Sequence, residues 1–313
     1  MSTTFPAPLR QAAFEEALGR PLISREEFIA DIGAAVRDRT GFAAGKLGVS
    51  ERAWMYYPTL LASGAPRIQV RAFEQTLYIK ATRHAGLFPA DAGFYREFVE
   101  FYAERLRQTD CIGLDPAAFQ ITLDIVRFHS LGADLMRYKE QEPDRSSPAH
   151  DERCYTPHFS GKRLLLVCPF ADALRARATK ETFEAVWAKT GKKWFEPASI
   201  EALEFPYGFA RETQARYGTC LDLLAEIEQR VDEYDYDVAL IAAGGLGVPI
   251  ASHVRSRGRV ALSLGGALQV LFGVFGSRWA GRPDWRERYF TDAWVPVPEK
   301  YRPDMSETDE DYW

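Results

Sequence analysis

The four cysteines of this 313-residue chain, Cys111, Cys154, Cys168 and Cys220, form no Cys-x-x-Cys pair and stand at no zinc spacing from a histidine. They read as buried or free thiols of a reducing cytoplasm. No block of lysine and arginine runs along the chain, and a net charge of −5 with a pI near 5.7 argues against a nucleic-acid partner. No apolar run approaches the ~20 residues that span a bilayer. The segment Met1–Pro6 lacks the charged and apolar regions of a signal peptide. A cytoplasmic protein without a membrane span is therefore expected. Gly-x-x-x-x-Gly-Lys-Ser/Thr is absent, which disfavours P-loop chemistry, and neither Ser263 nor Ser277 sits in a Gly-x-Ser-x-Gly elbow.

What is present is the composition of a globular protein, 46% apolar and 27% charged, long enough for one large domain or two small ones. Ser24-Arg-Glu-Glu27 is a capping box, and it predicts a helix to about Arg39. A short strand is expected within 41–48, and then a helix capped by Ser50 running through Leu61. Residues 70–83 carry a mixed pattern that does not separate strand from helix. His84 to Pro89 reads as a turn. Phe94, Phe98, Phe101 and Leu106 recur at helical spacing and mark a core-facing stripe. The polar stretch 140–153 is the expected linker between an N-terminal α/β region (1–150) and a second region (151–304). Lys162 to Phe170 reads as a buried strand ending in a turn, and 221–231 as a helix. Met305 to Trp313 is an acidic tail expected to fray, although its aromatic pair Tyr312-Trp313 could dock.

The richest stretch runs from Asp237 to Trp279. Strand 237–242 leads to Gly244, Gly245 and Gly247 and an apolar helix; strand 259–263 leads to Gly265 and Gly266 and another helix. Such turns leave helix-end N–H groups unpaired and admit a close ligand, a geometry suited to diphosphate. Their other use is tight packing between strand and helix. Strands alternating with helices imply parallel pairing, hence an α/β, Rossmann-like, mostly parallel sheet with helices on both faces. NAD is disfavoured: Ile250 stands where the fingerprint has its third glycine, and Ser263 where a ribose-binding acid belongs. A nucleotide diphosphate needs only the N–H groups and stays open.

Gly265-Gly-Ala-Leu-Gln269 through Gly273, Gly276, Arg278 and Trp279 resembles a signature of bacterial glycosyltransferase-like proteins related to the GT-D fold type. Many of these belong to polysaccharide biosynthesis. Gly45-Lys46-Leu-Gly48-Val49-Ser-Glu51, His84-Ala-Gly-Leu-Phe-Pro89, Gly161-Lys162 to Phe170, and Asp292-Ala-Trp-Val-Pro296 resemble further marks of that group, in order, from about Gly45 to Pro298. The resemblance implies a GT-D-like fold, a nucleotide-diphosphate sugar donor and an unidentified acceptor. In the family's Arg-Phe-Gly-Asp-Gly-Glu motif, Lys46 falls on the arginine, Gly48 on the first glycine and Glu51 on the glutamate. Val49 replaces the aspartate, which removes one of two carboxylates and weakens any Mn or Mg site.

Glycosyl transfer must stabilise a diphosphate leaving group and deprotonate an acceptor hydroxyl. Glu51 is the expected donor contact or base, its competing role being to stabilise the first helical turn. Arg278, beside Trp279, is expected to clamp phosphate, and Lys46 to offset its charge. Gly48, Gly244, Gly245, Gly247, Gly265 and Gly266 would cradle it, with Gln269 bonding base, ribose or sugar. His84 and His253 are expected to be structural. Two rivals stand beside the transferase: a catalytically degenerate nucleotide- or sugar-binding protein, and a phosphate-ester hydrolase on the same scaffold. A homo-oligomer is compatible with the sequence.

Overall fold

Once Arg163 is passed, the run Leu164-Leu-Leu-Val167 offers nothing polar to either face of a sheet, so a strand made of it must be covered on both sides. In the computed structural model, which describes residues 11–143, 154–308 and 312–313, it is. Leu164 and Leu166 enter one core with Phe28, Ile32, Leu240 and Leu262. Leu165 and Val167 enter the other, with Trp54, Phe98, Ile241 and Ile250. The period-2 alternation of a strand thus feeds two cores at once.

Seven short strands form one all-parallel sheet: β1 (Phe42–Lys46), β2 (Cys111–Leu114), β3 (Asp134–Arg137), β4 (Arg163–Val167), β5 (Ser199–Leu203), β6 (Val238–Ile241) and β7 (Val260–Ser263). Their order is β3-β2-β1-β7-β6-β4-β5. The fold is α/β and Rossmann-like. Expected strands β1, β4, β6 and β7 are in place. The sequence pattern did not reveal β2, β3 or β5. Cys111-Ile-Gly-Leu114 and Asp134-Leu-Met-Arg137 are only four residues each, too short to show a period. Residues 67–78 are helical, and 79–84 continue as a π-helical segment, which resolves the ambiguous stretch. The helix Val49–Ala62 is capped by Gly48, two residues before the expected cap Ser50.

The chain leaves β1 for β2 on one side and reaches β7 from β6 on the other, so the strand order reverses between β1 and β7. Ala44 pairs with Leu262 there. Crevices form at such reversals beyond the strands' C-terminal ends. The helix Gly247–Ser256 follows β6 and is buried over its first eight residues, Gly247 to Val254. This explains an apolar run with no polar face. The floor of the sheet is tied by a repeated device. Asp110, just before β2, accepts the Ala43 N–H of β1 at 2.8 Å and two bonds from Arg255. Asp237, just before β6, accepts the Arg163 N–H of β4 at 2.9 Å and binds that residue's guanidinium. No helix among the described residues is long and apolar enough to cross a membrane.

Candidate functional site

A cleft of about 990 Å³ opens at the C-terminal ends of β1, β6 and β7. Each strand end contributes because parallel strands all deliver their following loops to the same edge. From β1 come Lys46, Gly48 and Glu51. From β6 comes Gly244, and from β7 come Ser263, Gly265 and Gly266; Gln269 and Arg278 lie just beyond. Eight of the ten site residues expected from the sequence therefore face one space. Gly245 and Gly247 do not. The Gly245 N–H is donated to the Ala85 carbonyl at 3.0 Å, and a Cβ there would lie 2.7 Å from Leu87. Gly247 packs against the Ser263 hydroxyl. Both are packing glycines at the root of a buried helix.

Lys46 is already engaged. Its ammonium pairs with Glu142 at 3.2 Å and donates to the Leu264 carbonyl at 3.1 Å, so it bridges β1 to the second glycine turn. Glu142 is 7% exposed. It belongs to the stretch read from sequence as a linker, of which 144–153 lie outside the described residues. Residues 141–143 are buried, and Arg25 donates to the backbone carbonyls of Lys139 and Glu142. Nothing in the sequence pattern marks Glu142, because one of several acids in a polar, Ser- and Pro-containing stretch has no period to break.

Glu51 is the third residue of its helix. A Cβ on Gly48 would lie 2.6 Å from Glu51 Oε2, so the carboxylate folds back over the start of its own helix. Arg52 pairs with Asp115 at 3.1 Å on the next loop. The π-helical segment turns Lys80 and His84 towards the cleft, with Lys80 Nζ 3.4 Å from His84 Nε2. Segments of this kind recur at functional sites because the wider turn re-aims side chains. The far wall carries a motif seen only in part from sequence. Arg278 stacks near Trp279, Arg282 near Trp285 and Arg288 near Tyr289, with guanidinium-to-ring distances of 5.9, 5.7 and 5.4 Å. The sequence signal for this wall is the alternation of arginine and aromatic residues over 278–289, of which Arg278 and Trp279 are only the first pair.

Eight lysine and arginine side chains line the cleft against four carboxylates. Set in a chain of net charge −5, that is a local reversal of sign, and it favours an anionic ligand. Among the described residues, no three His, Cys, Asp or Glu side chains group closely enough to hold a metal ion. Val49, at the position of the second family carboxylate, is 60% exposed. The residues present do not fit a Mn or Mg site.

The C-terminal pair docks into the same cleft. Trp313 is 9% exposed between Tyr207 and Phe209, and its indole N–H donates to the Tyr207 hydroxyl at 2.9 Å. The Tyr207 hydroxyl in turn donates to the Tyr301 carbonyl at 2.8 Å. Burial pushes that phenol above its ordinary range, so it stays a donor at neutral pH. Tyr312 takes bonds from Gln269 and Arg278. His253 lies on the helix after the first glycine turn, away from the cleft, bonded to Asp232 at 3.0 Å. All four cysteines are free and buried. Burial raises the Cys111 and Cys220 thiols to about 12, which keeps them protonated. No family model, curated protein or solved structure matches the chain.

Proposed function

We propose that the protein is a glycosyltransferase-like enzyme that takes a sugar from a nucleotide-diphosphate donor. The observation that carries this reading is the cationic, aromatic-walled cleft at the sheet's reversal point, in a chain that is acidic as a whole. A diphosphate needs positive charge and open backbone; a base or sugar needs flat apolar faces. Both stand within one space of suitable size.

In the proposed reaction an acceptor hydroxyl attacks the anomeric carbon. The bond from that carbon to the diphosphate oxygen breaks, and its electron pair leaves with the nucleoside diphosphate. Arg278 and the second glycine turn stabilise the leaving charge, and Lys46 contributes if it turns from Glu142. Glu51 takes the acceptor proton. A cell-surface polysaccharide precursor is an acceptor consistent with the resemblance of the motifs.

One observation favours the rival, ligand binding without turnover. Val49 stands where the resemblance places a second carboxylate, and the Glu51 carboxylate lies against its helix start, where a glutamate stabilises the first turn. The test is a thermal-shift panel of nucleoside diphosphates and nucleotide sugars with and without Mn²⁺, followed by nucleoside diphosphate release on wild type and Glu51→Gln. Ligand at about 100 times its Kd stabilises by roughly 2.7 kcal/mol. Release by wild type and its loss in Glu51→Gln, with binding retained, supports transfer. Binding without release in either supports the rival. No shift with any nucleotide sinks the donor site.

A further inference from the structure

Tyr312 occupies a notch whose walls are the groups a nucleotide would use. The Gln269 side-chain amide donates to the Tyr312 carbonyl at 3.1 Å, and Gln269 itself is 2% exposed. An Arg278 N–H donates to the Tyr312 hydroxyl at 2.8 Å. The ring lies over Gly266, where a Cβ would come within 2.5 Å of it, and its centroid is 5.9 Å from that of Trp279. Gly276 is bare where the Tyr312 backbone passes, and the Ser277 N–H is donated to the Trp313 carbonyl at 3.0 Å. A flat ring over a glycine floor thus gives its hydroxyl to a guanidinium as an acceptor, while the backbone carbonyl of the same residue accepts from a buried amide. A nucleobase offers the same set: a planar ring edged with carbonyl and imine acceptors.

Bonds outside the notch also hold Thr308 and Trp313. Thr308 is bonded in both directions to Arg83 of the π-helical segment, its hydroxyl donating to the Arg83 carbonyl at 2.8 Å. Trp313 is bonded at Tyr207 and Ser277. We propose that the notch of Gly266, Gln269, Arg278 and Trp279 is the nucleobase subsite of the cleft, and that Tyr312 holds it until a nucleotide displaces it. The inference rests on the donor-site reading for the ligand's identity, and on the contacts alone for the occupancy.

The test uses the full chain with Tyr312→Ala, and with Tyr312→Ala plus Trp313→Ala, titrated calorimetrically with the four common nucleoside diphosphates. If the notch is open in about one wild-type molecule in ten, freeing it tightens binding about tenfold. Equal or weaker binding by Tyr312→Ala overturns the proposal and makes Tyr312 a wall of the site. A labelled peptide of sequence Glu-Thr-Asp-Glu-Asp-Tyr-Trp, added to the double variant, separates the two readings. If no nucleoside diphosphate binds any form, the donor reading fails and the peptide alone decides occupancy. Peptide binding to the double variant but not to wild type, lost on adding Arg278→Ala, supports it. Failure of the peptide to bind, or equal binding to wild type, overturns it.

Discussion

The two glycine turns have nearly the same sequence logic and opposite surroundings. Gly244 and Gly265 both sit at positive φ, +51° and +54°, directly after adjacent parallel strands. Around Gly244 the chain is closed: a Cβ would lie 2.6 Å from the Ala85 carbonyl oxygen, part of the loop after the π-helical segment. Around Gly265 there is open space, with nothing within 4 Å of a Cβ. The first turn uses glycine so that another piece of backbone can approach; the second leaves the approach vacant, beside the notch that Tyr312 fills. Identical spelling therefore marks a packing joint in one place and an open turn lining the cleft in the other. What decides between them is a loop more than 150 residues away in sequence, as the Gly245-to-Ala85 bond attests.

Gly244→Ala should break the first turn with the largest effect. It forces an L-residue into positive φ at about 1–2 kcal/mol and drives its Cβ into a carbonyl at a further ~1–3 kcal/mol. Urea unfolding should show a fall of about 2–5 kcal/mol. Arg278→Ala tests the second turn's chemistry. Loss of a charge-assisted bond of about 1.5–3 kcal/mol predicts roughly tenfold or greater weakening of nucleoside diphosphate binding. Its melting temperature should stay close to wild type, because the side chain is exposed.

Gly265→Ala sharpens the comparison. It carries the same backbone penalty as Gly244→Ala without the collision, so a fall of only about 1–2 kcal/mol is expected. Equal losses for the two alanines, read by the same urea titration, would show that crowding at Ala85 contributes nothing.

The smallest effect lies at the opposite end of the sheet. The Arg163 hydrogen bond holds the Asp237 carboxyl below its ordinary value, despite partial burial. A depressed carboxylate stabilises the fold above its unfolded pKa of about 3.9, and that contribution disappears as pH falls through the folded value. Asp237→Asn should lower the urea midpoint slightly at pH 7 and flatten its decline below about pH 4. An acid limb as steep as wild type would assign the decline to other carboxylates.

Much of the frame was legible because its cause is local. Ser24 and Glu27 write a cap into four residues, and the helix starts at Arg25 as they require. The apolar runs at 164–167 and 238–241 demand two-sided burial and receive it. The site was legible only as a set of strand ends. Which glycines face the cleft depends on where residues 85–87 fold, and no pattern near 244 records that. Glu142 escaped notice for the same reason: its meaning comes from Lys46, 96 positions away. The tail showed its ability to dock through Tyr312 and Trp313, while its seat on Gln269 and Arg278 needed the folded chain.

The Lys46 bond to Leu264 spans 218 positions and joins the first strand of the sheet to the loop after its last. On a ribosome, where chains emerge N-terminal end first, the left wall of the cleft is made long before the right wall exists. Until residue 264 has appeared, β1 offers a bare edge to anything that can pair with it, with no strand β7 to cover it. Such distant parallel pairing is also slow once both partners are present. The closed cleft should therefore be among the last features this chain acquires as it folds, and β1 the strand most in need of protection meanwhile.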